Sequence, residues 1–133
     1  MFRIKYSREI ALKILYELDA LKCDAAQSGA VIDEYFLTFH GPNPDEEAFI
    51  RRLVQTVLER KREIDAAISE NLIGWKLGRL ALVDRNLLRM GIAEAGFNSE
   101  KPIIIDDILR IAKKYSDAES YKLINAILDK VIP

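Results

Sequence analysis

Three cations crowd the opening of this chain. Arg3, Lys5 and Arg8 stand in MFRIKYSRE with no acid before Glu9, in a protein whose net charge is only −1. Guanidinium and ammonium groups so placed suit phosphate oxygens. Three such contacts on single-stranded nucleic acid would give a log–log salt slope of about −2, a modest electrostatic share of any affinity. Phe2, Ile4 and Tyr6 alternate with Arg3, Lys5 and Ser7, the period-two pattern of an extended arm with one apolar and one cationic side. Stacking on Tyr6, Tyr16 or Tyr121 and base-edge contacts from Asp84, Glu119 or Ser120 would supply what phosphates cannot. The residues alone leave a plainer alternative open, in which the apolar side packs on the body of the protein and the cations are solvated.

Bond-making chemistry finds little support. His40 is the single histidine and stands beside Gly41, where a surface or capping role is expected, because a general base needs a partner that nothing here identifies. Cys23 is the single cysteine, which excludes an internal disulfide and leaves no second histidine for a Cys–His pair. No Cys/His cluster has zinc spacing, and no glycine-rich loop could cradle phosphates. Asp106 and Asp107 are neighbours at a helix start. They point about 100° apart, a poor metal pincer, and the helix dipole accounts for them better. The expectation is a binding protein without cofactor or metal.

The elements that must position these groups are helical. The chain has 133 residues, half of them hydrophobic and 31% charged, with few glycines and prolines, enough for one domain with a real core. A pI of about 5.9 argues against wholesale coating of nucleic acid, so a nucleic-acid site must be a local patch. No apolar run spans a membrane and no secretion signal opens the chain, so a cytoplasmic protein is expected.

Periodicity predicts a first helix over Ser7–Lys22, capped by Ser7, with Ile10, Ile14, Leu15, Leu18 and Leu21 as its apolar stripe. A second covers Ser28–His40 and ends at Gly41. GPNPDEE supplies an N-cap at Asn43, Pro44 in the first turn and three acids at the positive end of the dipole. The third helix runs unbroken from Pro44 to about Leu72, with a charge-mixed outer face read as solvated surface. NLIGWKLG is a break, RLALVDRNLLRMGIAEAGF another helix, and NSEKP a loop. Ile103–Ile105 has strand propensity, but the following spacing is helical. SDAE reads as a capping box from Ser116 to Glu119, opening the last helix. The fold class expected is all-α, a compact bundle of six or seven helices.

Read end to end, the chain resembles the NusB family of bacterial transcription antitermination factors. SREIALKILYELD is similar to the family's first helix. FIRRLVQTVLERKREID follows, and WKLGRLALVDRNLLRMGIAE is similar to its central signature of Trp, Arg, Asp, Leu-Arg and a late Glu. KPIIIDDILRIAKKYSDAESYKLINAILDKV is similar to its closing helices. Each motif alone is mostly amphipathic helix; four in order are specific.

The resemblance implies a single NusB-like domain: an arm over residues 1–6, a first sub-bundle over about 7–72 and a second over about 76–133. It implies no enzymatic activity, and binding of boxA-type single-stranded RNA together with NusE, which is also a small-subunit ribosomal protein. Other Nus factors and RNA polymerase are engaged indirectly, and termination is suppressed in ribosomal RNA operons. Carried over residue by residue, the RNA-binding set is Arg3, Lys5, Arg8, Tyr16, Asp84, Arg85, Glu119, Ser120, Tyr121 and Lys122. The NusE side is expected on the helix from Leu80 to Ala95. Monomer and homodimer both remain open.

The chain departs from the family pattern at several points. Ile4 and Tyr6 stand where arginines are usual, Leu123 where a phenylalanine is common, Ala126 where glycine follows Asn125, and Asp106-Asp107 where Asn-Glu is usual. Asn125 and Asp129 are expected to be buried and to tie neighbouring helices together. Two rival readings stand beside antitermination: a helical protein-interaction module that kept the fold but lost most RNA contact, and an RNA methyltransferase, which would need a catalytic domain beyond these residues.

Overall fold

The computed structural model describes the backbone of residues 4–133 and the side chains of residues 6–133. Seven α-helices follow one another: α1 (Ile4–Ala20), α2 (Ala25–Thr38), α3 (Pro44–Glu59), α4 (Lys61–Glu70), α5 (Leu82–Ala95), α6 (Lys101–Tyr115) and α7 (Ala118–Val131). A short 3₁₀ turn at Leu77–Arg79 precedes α5, and there is no strand among the described residues. The all-α expectation holds, and Ile103–Ile105 are helical.

Three boundaries carry their reasons in side chains. Asp24 accepts from the Gln27 N–H while the Gln27 side chain accepts from the Asp24 N–H, a reciprocal cap that starts α2 upstream of the expected Ser28. Asn43 and Glu46 do the same for α3, with Pro44 in its first turn. Asp117, not Ser116, caps α7 by accepting from the Ser120 N–H at 2.8 Å. Ser116 closes α6 instead, its N–H donating to the Ala112 carbonyl at 2.7 Å.

Two expectations about helix extent are corrected. The segment Ile4–Tyr6 is not an extended arm but the first turn of α1. A few residues of period-two alternation yield to a longer 3.6-residue stripe that already includes Arg8, Ala11, Leu12 and Leu15. Ser7 is therefore buried inside the helix and is not its cap. The third helix, expected to run unbroken, bends at Arg60 (φ −104°, ψ 14°), although the Arg60 N–H still reaches Thr56 and its carbonyl still accepts from Ile64. The bend lets α3 bury Ile50, Leu53, Val54 and Val57 against α1 and α5, while α4 turns Ile64 and Ile68 toward α5 and α7.

α5 is the hub. It packs against α1, α3, α4, α6 and α7, and every residue from Asn86 to Glu94 is buried. Gly91 permits a close approach to α7: a Cβ there would lie 2.8 Å from Leu128 Cδ2. One hydrophobic cluster, from Ala11 to Ile132, draws on all seven helices. A helix enclosed on all sides must satisfy its own Asn86, Arg89 and Glu94 inside the protein, and that requirement shapes the site.

Candidate RNA and partner interface

Arg8 shares the inward stripe of α1, and folding carries its guanidinium to 1% exposure. Its Nε and Nη2 donate to the two Glu94 carboxylate oxygens at 2.7 and 2.6 Å, and Nη1 donates to Asp107 Oδ2 at 2.9 Å. Burial disfavours the charged guanidinium, but Glu94 and Asp107 outweigh it and hold its pKa above the usual value. Arg8 thus leaves the phosphate-binding set expected from sequence. All three of its directions are occupied by carboxylates.

The network extends outward. Arg110 donates to Asp107 at 2.7 Å and to Glu9 at 2.8 Å, and the Lys114 ammonium reaches Glu9 at 3.1 Å. Burial alone would push the Glu9 carboxyl up, but Arg110 and Lys114 hold it below its ordinary value. Asn98 donates to Glu94 at 2.8 Å. Asp107 is therefore a buried link between α1 and α6, where the helix dipole was expected to explain it. The sequence signal was its position on the apolar face, three residues after Ile104 and four before Ile111.

A second network joins α1, α4 and α5. Arg85 grips both Asp19 oxygens at 2.7 Å, Asn86 donates to Asp19 at 2.9 Å, and Arg89 bridges Asp19 at 3.0 Å to Asp65 at 2.8 Å. Arg85, expected as an RNA contact, is turned toward α1 with its side chain only 17% exposed.

Asp84 also points inward. It is buried, accepting from Ser116 Oγ and, at 2.7 Å, from Ser120 Oγ. This carboxylate joins the start of α5 to the junction of α6 and α7, so neither it nor the Ser120 hydroxyl is presented as a free base-edge reader. The remaining residues of the expected set are outward. Glu119 and Lys122 are exposed, Tyr121 is half-buried and Tyr16 is exposed. Arg3 lies outside the described residues, and Lys5 is described only as backbone of α1. Asn125 and Asp129, expected to be buried, are exposed. Asp129 nevertheless links helices, its carbonyl accepting from Lys101 Nζ at 2.8 Å.

Two features of this face were missed. The end of α6 carries a pair of cation–aromatic contacts, Lys113 over the Tyr121 ring at 5.5 Å and Lys114 over the Tyr115 ring at 5.7 Å. Beside them Glu9, Leu12, Lys13, Tyr16, Val83 and Tyr115 line an open groove of about 350 Å³ between α1, α5 and α6. Tyr115 was read from sequence as ordinary helix, because only folding sets it opposite Tyr16. Among the described residues there is no group of three His, Cys, Asp or Glu side chains able to hold a metal.

The structure is thus a seven-helix bundle with ion pairs buried around α5 and, on its outer side, lysines set over the rings of Tyr115 and Tyr121. The chain belongs to the NusB family, whose model it matches over residues 5–133. It is 33% identical to the transcription antitermination protein NusB of Syntrophomonas wolfei, covering 95% of this chain and 92% of that protein. It is 37% identical to that of Koribacter versatilis, covering 94% and 85%. A chain in the crystal structure of antitermination factors NusB and NusE in complex with dsRNA superposes with a TM-score of 0.84 at 30% identity, covering 96% of this chain and 94% of that one. T. maritima NusB superposes with a TM-score of 0.82 at 28% identity, covering 99% and 92%.

Proposed function

We propose that this chain is a transcription antitermination factor that binds boxA-type single-stranded nascent RNA together with NusE and so suppresses termination, mainly in ribosomal RNA operons. It acts in the cytoplasm and reaches RNA polymerase and other Nus factors through that complex. No helix among the described residues is long and apolar enough to cross a membrane.

The observation that carries the reading is the likeness, over 96% of this chain, to a chain in the crystal structure of antitermination factors NusB and NusE in complex with dsRNA. Arg3, Lys5, Glu119, Tyr121 and Lys122 form the RNA contact set. The groove between Tyr16, expected from sequence as an RNA contact, Val83 and Tyr115 takes NusE instead, since its wall is mostly apolar and Glu9 is already matched by Arg110 and Lys114. Such a wall offers little to a phosphate and much to a protein side chain.

Titration of labelled boxA-type RNA with and without NusE, at two salt concentrations, tests this. Weak binding alone and clear enhancement with NusE are expected. Arg3→Ala with Lys5→Ala should weaken RNA binding and flatten its salt dependence, and Tyr16→Asp should remove the NusE enhancement. One observation favours a second reading, a protein-interaction module with reduced RNA contact: the burial of Arg8 removes a cation from an N-terminal stretch already short of arginine. NusE capture with no RNA affinity at either salt would select that reading.

A further inference from the structure

The geometry points to Lys113 as an RNA contact that works through Tyr121, as a cation that covers the ring in the free protein and moves to a phosphate when a base takes its place. This inference rests on the RNA-binding reading above and adds to it a residue and an order of events.

Lys113 stands in the last turn of α6 and is exposed, with its ammonium 5.5 Å from the centroid of the Tyr121 ring on α7. That ring is its one described contact. Its neighbour Lys114 is different, being held by Glu9 at 3.1 Å. The two lysines diverge by about 100° around the helix, so one serves the α1 side and the other the α7 side. The body of Tyr121 packs against the hydrophobic cluster while its ring meets the lysine. Lys122 follows it on the exposed side of α7.

A ring packed at its base, with an exposed cation over its face and a second cation next to it, is the arrangement a single strand uses. Bases stack, and the backbone on either side meets positive charge. The exchange is favourable by magnitude. An exposed cation–π contact is worth a factor of about two to five, whereas a base on an aromatic ring is worth about five- to a hundredfold in affinity. A displaced ammonium on a four-carbon stem stays within reach of the backbone of the nucleotide that displaced it. Leu123 offers no ring, so Tyr121 is the platform that remains on this part of α7.

Fluorescence anisotropy of labelled boxA-type single-stranded RNA in the presence of NusE, across a salt series, separates the two roles. Tyr121→Leu should weaken binding about five- to a hundredfold with the salt slope unchanged, and Tyr121→Phe should bind as the parent does. Lys113→Ala should weaken binding several-fold at low salt and reduce the magnitude of the slope by about 0.7, the share of one phosphate on a single strand. Lys130→Ala, on the last turn of α7, should change neither. A Lys113→Ala protein that keeps the parental slope, or binds more tightly because the ring has been cleared, overturns the inference and leaves the RNA-binding reading intact. A parent that fails to bind with NusE present overturns both.

Discussion

Arg8 and Glu94, 86 residues apart, are joined by two parallel hydrogen bonds of 2.7 and 2.6 Å inside the protein. This fork, closed on its third side by Asp107, locks α1 onto α5 and α6. It also makes an arginine expected at the phosphate-binding surface part of the core.

Removing Arg8 leaves two buried carboxylates without their partner. Arg8→Ala should cost about 3–5 kcal/mol in urea unfolding, with Arg8→Lys intermediate because an ammonium cannot reproduce the fork. Lys13→Ala on the outer side of α1 should fall within about 0.5 kcal/mol of the parent. An Arg8→Ala loss no larger than that of Lys13→Ala would show that the network is not formed in solution.

Asp19 sets an acid limb. Burial raises a carboxyl pKa, but hydrogen bonds from Arg85 and Asn86 and the charges of Arg89 and Arg85 bring it from 3.8 down to about 2. A group depressed by folding contributes stability that is present above its unfolded value and lost as pH falls through its folded one. Stability should therefore decline from about pH 4 toward about pH 2, by on the order of 1–2 kcal/mol once solvent screening is allowed for. Asp19→Asn should be less stable at neutral pH and flatter across that window. Parallel pH profiles for the two proteins would contradict the assignment.

Gly91 is a packing position. An added Cβ would meet Leu128 Cδ2 at 2.8 Å and Cδ1 at 3.2 Å, and Leu128 is fully enclosed. Gly91→Ala should destabilise by about 1–3 kcal/mol, despite the better helix propensity of alanine. In a Gly91→Ala background Leu128→Val should cost less than it does alone, a coupling that a double-mutant cycle reads directly. Additivity of the two would place the clash elsewhere.

The Asp84 carboxylate depends on two hydroxyls from the α6–α7 junction. Ser116→Ala should cost about 1 kcal/mol, and with Ser120→Ala the carboxylate loses both donors, so the pair should cost about 2–3 kcal/mol. Hydrogen exchange of the Ser116–Ser120 backbone amides should rise in the double variant. Unchanged protection would mean that the junction is held by packing alone.

What the sequence by itself determined was local: six amphipathic stretches, one of which the fold divides at Arg60, the Asn43 cap with Pro44, the break around Gly74, and the succession of motifs that resembles the NusB family. These are legible because they depend on residues within a turn or two of one another. What it left undecided was the destination of its charges. Arg8, Arg85, Asp84 and Asp107 read as surface chemistry along the chain, and Asn125 and Asp129 as buried ties, yet the fold places them the other way round. The sites of Arg8 and Asp107 on apolar stripes were visible, but a charge is buried only when a partner is delivered to it. Glu94 arrives from 86 residues away. Only the packing of α1, α5 and α6 could decide that, because in the protein interior the cost of an unpaired charge exceeds any local preference for water or phosphate.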